Sequence, residues 1–380
     1  SHLDPRASRW DPHRRAAEAG EAGEAGKAAR PNAVVLLITR TADTEMAAVA
    51  NLLRRVGVPV LRLDSDAPDP PDLLIDPAER LIRLGEVHAR PVVTWVRHFS
   101  TRSLPDSGVS PPSSGKPPPS PGESPPSPGE PPPSPGGYTQ WRRESWAALV
   151  RQLTTVSATL IPSSGPGLLE QLATATRLGI AVPRTIITTN WAAAAALPDP
   201  KVVLKSLGGH FVEAEPGRLT GVFAEVHELS ALDHPTSRFG APVVVQSYVE
   251  HDSELRVYLL GDKLVTYEVT KHSPSDPWRR PDRIRARLVS TPEPVRAATQ
   301  ALAATWNLRY AAFDFLITPD GPVFLEANLD GDWRWLERGT STSEVTLGAA
   351  RLVRDLYTKE APVAAGLLTF LAGGGSHHGR

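Results

Sequence analysis

Residues 311–337 read AAFDFLITPDGPVFLEANLDGDWRWLE. Two apolar runs flank Pro319-Asp320-Gly321, which predicts a β-hairpin. A three-residue loop, a type I turn followed by a left-handed Gly321, pairs Asp314 with Glu326 across the ladder. Side chains alternate along a strand, so Asn328 joins Glu326 on one face. A two-residue turn would slip the register by one and put Asp314 opposite Ala327. With the predicted pairing, two carboxylates and an amide carbonyl converge. This is a hard-oxygen set suited to Mg²⁺, which takes a few protein oxygens and completes its shell with water and phosphates. The alternative is a surface hairpin with acidic tips. Against it, Asp314 and Glu326 sit inside FDF and FLEAN, where an unpaired carboxylate is costly.

At 380 residues the chain has room for two or three domains with real cores. A net charge of −1 gives no global basic field, so no nucleic-acid partner is expected. The absence of cysteine excludes disulfides, thiol nucleophiles and Cys-ligated zinc, and fits a reducing, cytoplasmic setting. No apolar run has the length of a membrane span and no signal-peptide pattern opens the chain, so no membrane partner is expected.

Residues 1–31, with EAGEAGEAGK, have almost no core material and are expected to be disordered. An N-terminal α/β unit is predicted over 32–106. Ala33–Ile38 is a buried strand, Thr44–Val56 a helix and Pro59–Leu63 a strand. Leu73–Ile75 with Leu81–Leu84 form a β-ribbon, and Pro91–Trp95 is a further strand. This opening resembles a doubly wound domain but lacks GxGxxG and GxxxxGK[ST], so no nucleotide site is expected there. Residues 107–137 carry the repeat SPPSSGK, PPPSPGE, SPPSPGE, PPPSPGG. This reads as an extended, polyproline-II-like linker, with an SH3-type ligand as the alternative to an inert insertion.

A central domain over 138–245 is predicted to hold helices at Trp141–Val156, Gly167–Leu178 and Trp191–Ala196. Its strands are Ile180–Thr189, Val202–Lys205 and Val243–Gln246, with a lid over phosphates. A C-terminal domain over 246–360 holds a hairpin about Gly261-Asp262, a basic strand at Arg283–Leu288, a helix at Pro292–Asn307, the opening hairpin and a helix at Ser343–Leu356. A loose tail fills 361–380. The fold class is α/β.

Lys205 ends an apolar strand just before Gly208-Gly209, where an ammonium can bind phosphate oxygens while a flexible loop closes. The alternative is a solvated strand-end lysine. Gln246, Ser247, Tyr248 and Val249 follow a buried strand without turn residues, so their backbone can meet an adenine edge. Glu254 can accept from ribose hydroxyls, and Arg256 shares its face; an ordinary salt-bridged strand fits the same periodicity. Arg283, Arg285 and Arg287 make one basic face, preceded by Trp278-Arg279-Arg280. Fixed cations of this kind stabilise the charge that develops in phosphoryl and acyl-phosphate chemistry, so Arg279 and Arg285 are candidate catalytic cations. The alternative is a solvated charge run. Trp333 and Trp335 either wall a substrate groove or seal the hairpin against the last helix.

The order Lys205, Gln246–Val249, Glu254-Leu255-Arg256, Asp314, Glu326-Ala327-Asn328 resembles the ATP-grasp fold, preceded by a smaller doubly wound domain. ELR, then WRR, then the hairpin is similar to the graspetide (microviridin-type) peptide-maturing ligases, with actinobacterial ester-forming members the nearest analogy. The resemblance covers about 34–356, apart from the repeat. It implies ATP and Mg²⁺ as cofactors, with Lys205 on the phosphates, Gln246 to Val249 on adenine and Glu254 on ribose. It places Arg256 near the transferred phosphate and Asp314, Glu326 and Asn328 on the metal. It further implies activation of Asp or Glu side chains of a ribosomal precursor peptide as acyl phosphates, then attack by Thr or Ser (ester) or Lys (amide). The partner would be a leader plus an acidic, Thr/Ser-containing core; the oligomeric state, a homodimer included, stays open. One departure stands out, since relatives place a second phosphate-binding cation near the position of Leu168. Arg177 or the basic strand would have to compensate. The alternatives are a RimK-like ligase adding an amino acid to a carboxylate and a non-catalytic ATP- or peptide-binding module.

Overall fold

The computed structural model describes residues 32–68, 72–105, 135–162, 165–190, 197–208, 211–215, 218–221, 224–231, 238–271, 273 and 284–361. Residues 1–31, most of the proline-rich repeat, the helix expected at Trp191–Ala196, Arg279 and Arg283, and the tail beyond 361 lie outside them.

The apolar run near the start forms β1 (Asn32–Thr39), followed by α1 (Thr44–Arg55) and β2 (Val60–Asp64). The Asp43 carboxylate accepts from the N–H groups of Glu45 and Met46 and caps α1. A ribbon of β3 (Leu73–Asp76) and β4 (Leu81–Leu84) leads into β5 (Val87–Val96). The order is β2-β1-β5-β4-β3, with β1 parallel to both β2 and β5. The next helix, α2, spans Pro135–Gln152 and so starts inside the last repeat unit, six residues before the expected Trp141. Proline is favoured at a first helical position because its φ is already helical and its missing N–H is not needed there. After α2, β6 (Thr159–Ile161) pairs parallel with β5. The boundary expected at 138 therefore moves, because α2 and β6 belong to the first sheet. Trp146, Leu149 and Val150 pack on its outer face.

From α3 (Leu168–Arg177) the chain reaches β7 (Thr185–Asn190). This strand starts five residues later than expected, since 180–184 run as irregular chain around Pro183. Then come β8 (Lys201–Ser206), β9 (Phe211–Glu215), β10 (Arg218–Gly221), β11 (Glu225–Glu228) and β12 (Arg238–Ser247). Strands β11-β8-β12-β7 make one antiparallel sheet, and β9 and β10 make a separate ribbon. The sheet's own core is small, built on Leu197, Val202 and Val245.

The third sheet has the order β15-β14-β13-β16-β17. It comprises β13 (Ser253–Leu260), β14 (Lys263–Thr270), β15 (Arg285–Val289), β16 (Tyr310–Thr318) and β17 (Gly321–Asn328), with α4 (Glu293–Thr305) before β16 and α5 (Arg334–Thr340) and α6 (Glu344–Glu360) after β17. One face packs on α4 through Leu255, Val257, Phe313 and Phe315 against Val295 and Leu302. The other face shares a core with the first sheet: Tyr258, Tyr267 and Tyr310 cluster with Trp95, α1 and α6. Burial on both faces explains why β16 is apolar along nearly its whole length. The first and third sheets are thereby held as two walls with a shared interior.

The opening hairpin pairs Asp314 with Glu326, as expected, by a route other than the expected one. Thr318 pairs with Gly321, so the connection is the two residues Pro319 and Asp320. A bulge then restores the register, since Phe315 faces Phe324 while Asp314 faces Glu326, leaving Leu325 as the extra residue. Thr318 tightens the turn, its Oγ1 accepting from the Asp320 N–H at 3.3 Å and donating to the Gly321 carbonyl at 2.9 Å. Gly321 has φ +122°, a value that disfavours side chains.

Candidate active-site cleft

A cleft of about 1140 Å³ opens where the three sheets meet. It gathers Lys205 from β8, Gln246 to Val249 from the end of β12, Glu254 and Arg256 from β13, Asp314 from β16, and Glu326 and Asn328 from β17. Arg285 stands outside it, exposed on the sheet's edge strand opposite Thr270. Two strand spacings, roughly 10 Å, separate β15 from β13. Strand order, invisible in a basic run, removes Arg285 from the site, and Arg287 turns to Glu268 instead.

Each hairpin carboxylate meets a cation of the chain. Arg256 donates from NH1 to both Asp314 oxygens at 3.1 and 3.0 Å, and from Nε to the Tyr258 hydroxyl at 2.9 Å. Lys205, 7% exposed, donates to Glu326 Oε2 at 3.3 Å. Burial raises the Asp314 carboxyl above its ordinary range and the Glu326 carboxylate adds to this, while Arg256 pulls the other way. Two like charges at one register position are what a divalent cation relieves, so the donor set fits Mg²⁺. Asn328 Oδ1 accepts from the Asp330 N–H at 2.9 Å, which fixes the amide's orientation in the cleft.

The Gln246–Val249 stretch is tied into its sheet. Gln246 Nε2 donates to Thr185 Oγ1 at 2.8 Å, and the N–H groups of Ser247 and Tyr248 donate to the carbonyls of Arg184 and Lys201. Glu254 accepts from Lys271 Nζ at 2.7 Å and lies 3.4 Å from His251 Nε2. Burial acts to raise the Glu254 carboxyl, but the His251 and Lys271 contacts outweigh it and hold it low. The hydrogen bond to Glu254 raises His251, against burial. A raised histidine pKa stabilises the fold below the unfolded value, about 6.5, and the contribution is lost as pH rises through the folded value. His251→Gln is therefore expected to cost about 1 kcal/mol at pH 6 and progressively less above pH 7. Urea denaturation at the two pH values checks this; a cost that grows with pH rules it out.

Several residues that the sequence reading passed over are at the site. Gln171 of α3 is buried and clamps the backbone between the two β17 ligand candidates. Its Oε1 accepts from the Ala327 N–H at 2.8 Å and its Nε2 donates to the Ala327 carbonyl at 2.9 Å. Arg97, fully buried after β5, binds Asp43 at 2.7 Å, Glu45 at 2.6 Å and Asp332 at 2.5 Å, and lies over the Trp333 ring. His98 adds a 2.9 Å contact from Nε2 to Asp332. Through Asp332 this cluster reaches the site, since the Tyr258 hydroxyl donates to the Asp332 carbonyl and accepts from Arg256. Trp333 seals the interior, its Nε1 donating to Thr346 Oγ1 at 2.9 Å, while Trp335 lines the cleft. Of the cations considered as replacements near Leu168, Arg177 is turned away and donates to Thr174 Oγ1 at 3.0 Å. Lys271 lines the cleft instead.

Three solved structures share this architecture over nearly their whole length. The macrocyclase MdnC of Microcystis aeruginosa MRC, bound with precursor peptide MdnA, aligns with a TM-score of 0.64 at 19% identity, covering 85% of this chain and 99% of that one. A RiPP-associated ATP-grasp ligase of Chryseobacterium gregarium, in complex with ADP and a leader and core peptide, also gives 0.64 at 19% identity, covering 85% and 97%. The ATP-grasp ligase PsnB, complexed with a phosphomimetic variant of its minimal precursor, Mg and ADP, gives 0.58 at 17% identity, covering 86% and 99%.

This chain has the ATP-grasp fold.

No protein-family model matches the chain, and no curated protein sequence does. In ATP-grasp terms, the β7–β12 sheet and the third sheet are the two leaves around the cleft, and the first sheet closes its far end. Among the described residues, no helix is long and apolar enough to cross a membrane.

Proposed function

We propose that this ATP-grasp chain is an ATP- and Mg²⁺-dependent ligase that cross-links side chains of a ribosomal precursor peptide. The observation that carries the reading is the convergence of Lys205, Arg256, Asp314, Glu326 and Asn328 in one cleft. Supporting it, the solved structures of like fold include proteins bound to precursor peptide, ADP and Mg. In this reading Asp314, Glu326 and Asn328 hold Mg²⁺. Lys205 neutralises phosphate oxygens, the Gln246–Val249 stretch borders the adenine, and Glu254 faces the ribose. ATP supplies the phosphoryl group that turns an Asp or Glu side chain of the peptide into an acyl phosphate. Arg256, held by Asp314 and Tyr258, stabilises charge on the oxygens of the activated carboxyl. A Thr or Ser hydroxyl, or a Lys amine, then attacks the acyl carbon and phosphate leaves, giving an ester or an amide.

The test is the intact mass of a short, acidic, Thr-rich peptide encoded beside the gene, incubated with the protein, Mg²⁺ and ATP. Loss of one water per link, strictly dependent on ATP, is the expected result, and mild base then separates ester from amide. A mass gain would replace this reading with amino-acid ligation. Unchanged mass with no ATP hydrolysis, across every acidic peptide of that locus, would overturn it.

A further inference from the structure

The first sheet contributes a second set of groups to the cleft, opposite the hairpin. Strand β1 connects through α1 to β2 on one side, while β5 pairs with it on the other. The strand order therefore reverses between β1 and β5. In open parallel sheets a crevice forms outside the carboxyl ends of the strands at such a point, and ligands bind there. Here the residues following those two strands line the cleft: Arg40 after β1, and Ser100, Thr101 and Arg102 after β5.

Both loops are built rather than slack. Asp66 accepts from Thr41 N, Thr41 Oγ1 and Ala42 N, at 2.5, 2.8 and 3.4 Å, which fixes the backbone beside Arg40. Ser65 Oγ accepts from the Ser100 N–H at 3.2 Å and shares a 3.0 Å hydrogen bond with Ser103 Oγ. His98 holds a left-handed backbone, φ 55°, where the chain turns from buried Arg97 into the cleft wall. That conformation costs a non-glycine residue roughly 1–2 kcal/mol, so it persists only where the surroundings hold it.

The Arg40 guanidinium is half-buried and forms no hydrogen bond or ion pair with any described residue. The acids that follow β1 and β2 are engaged elsewhere: Asp43 with Arg97, Asp64 with Arg62, and Asp66 with Thr41. A partly desolvated arginine that lines a cleft and lacks a partner calls for an anionic ligand, and its planar fork suits a carboxylate. We infer that the crevice between the ends of β1 and β5 is a carboxylate subsite in which Arg40 holds an acidic side chain of the peptide. This rests on the peptide-ligase reading above and adds where its acidic substrate is gripped.

The test is binding, so it does not depend on turnover. Fluorescein-labelled hexaglutamate and hexaglutamine are titrated by anisotropy against the full chain with Mg²⁺ and ADP present. Hexaglutamate is expected to bind at least about tenfold more tightly than hexaglutamine and to weaken with salt. Arg40→Gln and Arg40→Glu are expected to weaken hexaglutamate binding by about tenfold and more, while Arg40→Lys keeps part of it. Affinity for ADP, measured on the same variants, is expected to stay within about twofold. Hexaglutamate binding unchanged in Arg40→Glu would overturn the subsite. So would loss of ADP affinity with hexaglutamate binding retained, which would make Arg40 a nucleotide-phosphate ligand. If the water-loss experiment fails while these titrations behave as expected, the subsite stands and the ligase reading falls. If cross-linking proceeds and Arg40 has no effect on hexaglutamate, the reverse holds.

Discussion

Glu326→Gln is expected to lower ATP-dependent turnover by roughly 10²- to 10³-fold while leaving the fold intact. The change keeps the volume of the side chain and an oxygen that can accept from Lys205 Nζ, now 3.3 Å from the carboxylate. It removes the charge that, with Asp314 at the paired position, would hold the divalent cation in the proposed reading. Little stability is at stake, about 1 kcal/mol, because the hydrogen bond survives and only its charge assistance is lost. Asp314→Ala is a poorer probe, since it strands the partly buried Arg256 guanidinium and mixes a folding defect with a catalytic one. ADP release alongside a thermal melt separates the two effects. Turnover within tenfold of the wild type, with the melt unchanged, would sink the metal assignment.

Arg97→Met is expected to carry the largest stability cost, roughly 3–5 kcal/mol. Methionine fills the space over the Trp333 ring but leaves Asp43, Glu45 and Asp332 without their common cation. Burial raises the Glu45 carboxyl, and Arg97 is the strongest influence opposing that rise. Without the arginine, burial therefore favours protonation of this carboxyl. For a group whose folded pKa lies above its unfolded one, stability is lost as pH rises. The variant is therefore expected to be least destabilised near pH 5 and most above pH 7, the order expected when a buried cation is removed. Urea denaturation at both pH values measures it. A cost below about 1 kcal/mol at pH 7 would mean that the cluster does not hold the first sheet to the third.

The hairpin shows how far local pattern reaches. Alternation in FDF and FLEAN placed Asp314, Glu326 and Asn328 on one face, because Phe313, Phe315 and Phe324 fill the opposite, α4-facing core and a one-residue slip would expel them. The same reasoning misjudged the turn. A two-residue connection with a bulge at Leu325 produces the same pairing as a three-residue loop. The core fixes the register, and the turn adjusts to it. Trp333 and Trp335 were both legible as aromatic, yet one seals the core and the other lines the cleft.

What the sequence by itself determined is most of the longer elements and the pairing of the hairpin's acidic residues, since both follow from periodicities of two and 3.6 residues read over short spans; β6, β9 to β11 and α5 are too short to carry such a pattern. It also singled out Lys205, Gln246 to Val249 and Glu254, which lie at or near strand ends where the polar/apolar pattern breaks, and Arg256 within β13. What only the tertiary structure decided is everything that depends on which strand lies beside which. Strand order left Arg285 at the far edge and returned β6 to the first sheet. It brought Gln171 to Ala327 across 156 residues of chain. Packing of the first sheet on the third carried Arg97 to Asp332 and Arg40 to the cleft. An isolated arginine after an apolar strand looks the same in sequence whether it meets water, a buried acid or a substrate. Non-local burial assigns it one of the three, and no local pattern encodes that.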